Sequence, residues 1–432
     1  MNPQAHKQAL IAQITQLRAA TLEARAAGNE ASAEQYAGMC ADLAARSLPP
    51  TAGLRFRLRA DYLLSTAYRE PPDLEARLRE LADECRHALG PLDRTTGYVR
   101  RAHIPQIARD GRTLQAERVA DELVQEGARQ LGREHPETRV ARYLHALMLA
   151  RIGRCGEALA AVDSLEALSR AVARPQPARG PGHEPQDEVV FVQDRPSAAE
   201  AAAAEAAARV DDVRLTVLIL QGHWPEADVV LAGQAERRLR KLGPRHPDYL
   251  KTIILRSQAV LSGGDPKTAL ELSAQGSDGL VERRGFESMP NLEAYLIQSR
   301  ALKQLGDPVQ AETAARYTLD QAAARWGAAH IITAAAAVDL ASALIAQGRL
   351  GEALGLAEPA VAVFRAALGD AHPAWLRARF TTAQALAGLG RATEARTEHQ
   401  AILADRVRIL GEEHPHTRLS YRAVAAQTPD AP

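Results

Sequence analysis

The sequence is short of most residues and runs that carry recognisable chemistry. Aromatic residues are 4% of its 432 positions. The core must therefore be built from Leu, Ala, Val and Ile, with alanine letting helices approach closely where bulk is missing. Cysteine occurs three times, as Cys40, Cys85 and Cys155, at no metal-ligand spacing. That excludes a cysteine metal knot and points to free thiols in a reducing cytosol. Net charge is absent, with 53 basic against 53 acidic residues. Non-specific nucleic-acid binding needs an excess of Lys and Arg to displace counterions, so it is not the expected task. There is no run of ~18 apolar residues to span a membrane. The first residues, MNPQAHKQALIAQ, are polar and carry no apolar signal core. A cytoplasmic location is expected, and the high Ala and Arg content suggests a GC-rich bacterial source.

What the chain does have is a period. Leu-Gly, two residues, then His-Pro occurs at Leu131–Pro136, Leu242–Pro247, Leu368–Pro373 and Leu410–Pro415. A second marker is glycine followed five places later by alanine. Its glycines are Gly111, Gly153, Gly222, Gly264, Gly306, Gly348 and Gly390, and its alanines run from Ala116 to Ala395. Neighbours are 42 residues apart except Gly153 and Gly222, which are 69 apart. A fixed period of this size is the mark of a solenoid, in which each unit packs only on its neighbours.

Each unit reads as two helices. Helix A starts at the proline, whose missing N–H costs nothing at the first helical position. It ends at the marker glycine, which can take the left-handed C-cap conformation. Helix B carries the alanine in its first turn and runs to the next Leu-Gly. Residues 1–88 read as degenerate N-terminal hairpins forming a cap. Gly28 and Ala33 there keep the second marker, while Arg69-Glu70-Pro71-Pro72-Asp73 replaces the expected glycine. Regular units are expected over 89–172 and 200–426, the last with helix A alone, and 427–432 is a tail. Residues 173–199, rich in Pro and Gly, account for the 27-residue excess and read as an insertion loop. Within it Val189–Val192 is a β-prone run flanked by Asp187, Glu188 and Asp194.

These residues resemble the tetratricopeptide repeat family, in the 42-residue variety found in kinesin light chains and many bacterial proteins. Both of its turns occur: Leu410-Gly411-Glu412-Glu413-His414-Pro415 between repeats, and Gly348-Arg349-Leu350-Gly351-Glu352-Ala353 within one. The resemblance implies an all-α, right-handed superhelical solenoid of about nine hairpins, with A helices lining the concave face. It also implies a protein-binding role. The paired asparagines with which kinesin light chains grip a peptide backbone are missing: the corresponding stretches are Arg142-Tyr143-Leu144, Ile253-Ile254-Leu255 and Arg379-Phe380-Thr381. A cargo-adaptor role of the same kind is therefore not implied.

On helix A one stripe is apolar and faces the core, as in Tyr143, Ala146 and Leu149. A second stripe is expected to face the groove. It collects Arg109, Arg151, Arg209, Lys251, Gln258, Arg300, Gln304, Ser342, Arg377 and Gln384, with Glu293 and Asp339 as its acids. This reads either as a basic groove for an acidic peptide or terminal carboxylate, or as a solvated helix face. The insertion could then act as a self-ligand, through Asp187, Glu188 and Asp194 with Val190 or Phe191. The repeated histidines, His135, His246, His330, His372 and His414, sit on neighbouring repeats ~10 Å apart, too far to share a metal. They are turn residues, and no metal or cofactor is expected. No GxSxG, HExxH or phosphate-loop signature occurs. The expectation is a non-catalytic scaffold for a protein or acidic peptide, with no nucleic acid or membrane as partner. Its alternatives are a ligand- or peptide-sensing regulator of a partner, and an enzyme whose groove site is gated by 173–199.

Overall fold

In the computed structural model, residues 3–172, 210–284 and 288–426 are described. They are helical throughout, with no strand among them. The helices are α1 (Pro3–Ala26), α2 (Glu30–Ser47), α3 (Gly53–Ser65), α4 (Leu74–Leu89), α5 (Arg94–Arg109), α6 (Thr113–Gln130), α7 (Pro136–Arg151) and α8 (Cys155–Val172). α9 is described over 210–220. Then come α10 (Trp224–Leu242), α11 (Pro247–Ser262), α12 (Pro266–Arg284), α13 (Met289–Gln304), α14 (Pro308–Trp326), α15 (Ile331–Ala346), α16 (Leu350–Leu368), α17 (Pro373–Gly388), α18 (Ala392–Leu410) and α19 (Pro415–Ala425). Odd and even helices pair into nine antiparallel hairpins, and α19 stands at the position of a tenth helix A, the last of the described helices.

The repeated residues explain why each boundary recurs. In every A-to-B turn that keeps it, the marker glycine has a positive φ, such as 79° at Gly111 and 77° at Gly348. The residue after it donates its N–H back to the helix, as Arg112 does to the Ile107 carbonyl at 3.1 Å and Arg391 to Leu386 at 3.0 Å. That satisfies carbonyls which would otherwise end the helix unpaired. At five helix A starts, those of α7, α11, α15, α17 and α19, the repeat histidine is the N-cap. His135 Nδ1 accepts from the Glu137 N–H at 3.2 Å, and His414 Nδ1 from His416 at 3.1 Å. The seven marker alanines are fully buried, because no larger side chain fits where the helices of a hairpin cross.

The strip of hairpins coils until it meets itself. Odd helices pack on the next odd helices, as α11 on α13 and α13 on α15, so the A helices form the inner wall. After five hairpins the A-to-B turn of one coil abuts the helix A start of the next. A Cβ added at Gly28 in hairpin 1 would stand 2.8 Å from the His246 ring in hairpin 6. Glu70 in hairpin 2 accepts from the Met289 N–H in hairpin 7 at 3.0 Å. His330 Nε2 in hairpin 8 bonds the Arg109 carbonyl in hairpin 3 at 2.9 Å. A Cβ at Gly153 in hairpin 4 would stand 2.9 Å from the Ala371 carbonyl in hairpin 9. In hairpin 5, Gly222 lies against His414, which also bonds the Leu220 carbonyl. The outer helices α6 and α16 touch as well. The wall is therefore a closed tube with a continuous seam.

Candidate functional site

Five A helices per coil set the bore of this tube. With axes ~10 Å apart, their ring has a radius of roughly 8 Å. A helix with side chains has a radius of about 5–6 Å, so the bore is only roughly 5 Å across. An incoming α-helix does not fit. An extended chain or a few side chains do.

The charged stripe expected from the sequence meets in this bore. Asp339 on α15 is fully buried between two arginines: Arg300 Nε on α13 is 2.8 Å from Oδ2, and Arg377 Nη1 on α17 bonds Oδ1. Burial alone would raise its carboxyl, but the two guanidiniums hold it below its ordinary value. Lys303 Nζ donates to Ser342 at 2.6 Å, and burial lowers its pKa. Arg109 donates to the Ala67 carbonyl at 3.0 Å. Arg151, at the end of α7, is open to water but enclosed, and that enclosure lowers its pKa. No ion-pair partner lies within reach of it among the described residues. Glu293 at the start of α13 is likewise open to water in a crowded place. Enclosure, followed by the charge of Glu70, raises it to about 7 against the opposing pull of Arg151, Arg109 and Arg300. Hairpin 7, which carries Glu293, sits over hairpin 2, two steps from hairpin 4 and Arg151. That is the largest separation a ring of five allows, so their coupling spans the bore.

The structure thus brings together Arg109, Arg151, Arg300, Ser342 and Arg377, with Lys303 as a cation that the sequence stripe omitted. Lys251 lies near Asp248, 3.9 Å away, towards the other end of its helix. Gln304 and Gln384 are exposed, and Gln258 is half-buried. Arg209 and the insertion residues Asp187, Glu188, Val190, Phe191 and Asp194 lie outside the described residues. So does the β-prone run Val189–Val192. Among the described residues no group of three or more His, Cys, Asp or Glu is placed to hold a metal. No described helix is long and apolar enough to cross a membrane.

A family model for the tetratricopeptide repeat matches residues 333–374 and 383–416. The array is a tetratricopeptide-repeat solenoid. The two matched stretches fall mainly on hairpins 8 and 9. Among solved structures, it is similar to a putative kinesin light chain with nearly identical repeats from Podosopora anserina, at 24% identity, 42% of this chain, 86% of that one and a TM-score of 0.35. It is also similar to a Rap protein complexed with competence and sporulation factor, at 12% identity over 77% of this chain and 87% of that one, with a TM-score of 0.49. The tetratricopeptide domain of P58(IPK) covers 96% of this chain and 93% of its own, at 13% identity and a TM-score of 0.24. No curated protein matches the chain.

Proposed function

We propose that the chain is a non-catalytic interaction module whose bore receives an extended, carboxylate-bearing segment of a partner protein. The observation that carries this reading is Arg151: an enclosed guanidinium with no ion-pair partner among the described residues. Arg109 lies beside it, and Arg300, Lys303 and Arg377 surround the single carboxylate of Asp339. Guanidinium groups bind carboxylates with two parallel hydrogen bonds, and do so more strongly where water is scarce. The bore's width adds a shape rule, since only an extended segment passes.

The test is titration of a fluorescent glutamate-rich peptide by anisotropy. Arg151→Glu is expected to weaken binding about ten-fold or more, matching a charge-assisted hydrogen bond of about 1.5–3 kcal/mol. Affinity should also fall as salt is raised. Affinity unchanged by both the substitution and salt would remove the reading. Glu293 adds a pH dependence. Below about pH 7 it is neutral and the bore is more cationic, so binding tightens as pH falls through that value. Glu293→Gln should hold the tight form and flatten the profile.

A further inference from the structure

The seam leaves two rims unmatched, and they carry the two halves of the same joint. The A-to-B turns of hairpins 1–5 are covered by the next coil, whereas those of hairpins 6–9 are not. A Cβ at Gly264, Gly306, Gly348 or Gly390 would meet nothing within 4 Å. At two of the open turns the residue before the glycine is also an uncovered leucine. Ile152, within the seam, is 2% exposed, while its counterparts on the upper rim, Leu305 and Leu389, are 49% and 43% exposed. Val309 beside Leu305 is 63% exposed. Among the described residues the lower rim is formed by the helix A starts of hairpins 2–4, and it shows Leu54 and Leu92 at 40% and 48%. It also keeps His135-Pro136, an intact start whose histidine caps its own helix as the seam histidines do.

We propose that a second copy of this chain stacks head-to-tail on the first, upper rim to lower rim, continuing the seam between molecules. The coil register places each hairpin on the one five before it. With α19 standing as the tenth position, hairpin 2 of the second copy lies over hairpin 7 of the first, so Leu54 meets Leu305 and Val309. Hairpin 4 lies over hairpin 9, so His135-Pro136 meets Leu389-Gly390. That repeats the intramolecular pairing of His372-Pro373 with Ile152-Gly153. The contact is heterologous: each molecule offers two different surfaces. It differs from the bore and does not depend on what the bore holds.

Sedimentation velocity on the full chain tests this, using two pairs of exposed substitutions. Leu305→Glu with Leu389→Glu disables the upper rim, and Leu54→Glu with Leu92→Glu the lower. Helicity and Tm are measured alongside to show that each variant folds. The wild type is expected to sediment faster as concentration rises. Each variant alone should remain a monomer, while an equal mixture should form a dimer and nothing larger, because one intact rim of each kind remains. A wild type that stays monomeric, a variant that still associates alone, or a mixture that fails to pair would each overturn the proposal.

Discussion

Glu70 shows how a single residue repairs a defect elsewhere in the chain. It is the one described non-glycine residue with a positive φ, 51°, and it stands next to the position where the repeat glycine is missing. Across the seam, hairpin 7 has lost its capping histidine, and Ser288 there makes no side-chain cap. The Glu70 carboxylate takes over that role, accepting from the Met289 N–H, and it faces Arg325 at 3.6 Å. Glu70→Ala should therefore cost about 1–2 kcal/mol in urea unfolding, the value of a lost N-cap. Adding Ser288→Asp, which restores a local cap, should recover most of the loss. A double variant as unstable as the single one would mean that the cap is not what Glu70 contributes.

Between elements, two kinds of joint hold the array together. Neighbouring hairpins share buried ionic groups: Glu75 on α4 meets His103 at 2.6 Å and Arg112 at 2.8 Å. One period later, Glu117 meets His145 at 3.0 Å and Arg154 at 3.2 Å. Burial alone would raise the Glu75 carboxyl, but His103 and Arg112 hold it below its ordinary value. Both clusters tie one hairpin to the next. The second kind is the seam histidine, whose Nδ1 caps its own helix and whose Nε2, in His330, also reaches the previous coil. His330 does both, whereas His135 does only the first. His330→Ala is expected to cost about 1–3 kcal/mol, against about 1 kcal/mol for His135→Ala, the difference being the cross-coil hydrogen bond. Equal losses in chemical unfolding would mean that the seam bond contributes nothing.

For the whole molecule, the seam is what makes a tube from a strip, and it is sensitive to acid. Burial lowers His330, and lowers His372 and His414 to about 4. Arg377 faces His372, while Arg406 and His223 face His414, and these cations act in the same direction. Asp110, facing His330, opposes the shift. A histidine lowered on folding stabilises the fold fully above its unfolded pKa of about 6.5 and loses that contribution as pH falls through the folded value. Protonation also removes the Nδ1 acceptor that caps the helix. Between pH 6.5 and 4 the tube should therefore loosen: the radius of gyration from X-ray scattering should rise before helicity by circular dichroism falls. His372→Asn with His414→Asn, which keep a capping side chain without a charge change, should blunt that rise. Simultaneous loss of both signals would assign the acid transition to the helices and not to the seam.

The sequence alone determined the hairpins. A 42-residue spacing of glycine, alanine and His-Pro is local information, since each marker acts within one turn or one helix crossing. The apolar stripe that buries Tyr143, Ala146 and Leu149 is read the same way. The polar stripe was legible as a list, including Arg300, Asp339 and Arg377, but not as a set of ion pairs across a bore. Only the tertiary structure decided that. The pitch comes from a small rotation at each hairpin interface, summed over five, and no single residue states it. Contacts such as Glu70 with Met289 or His330 with Arg109 exist only because that sum brings one edge of the strip onto the other.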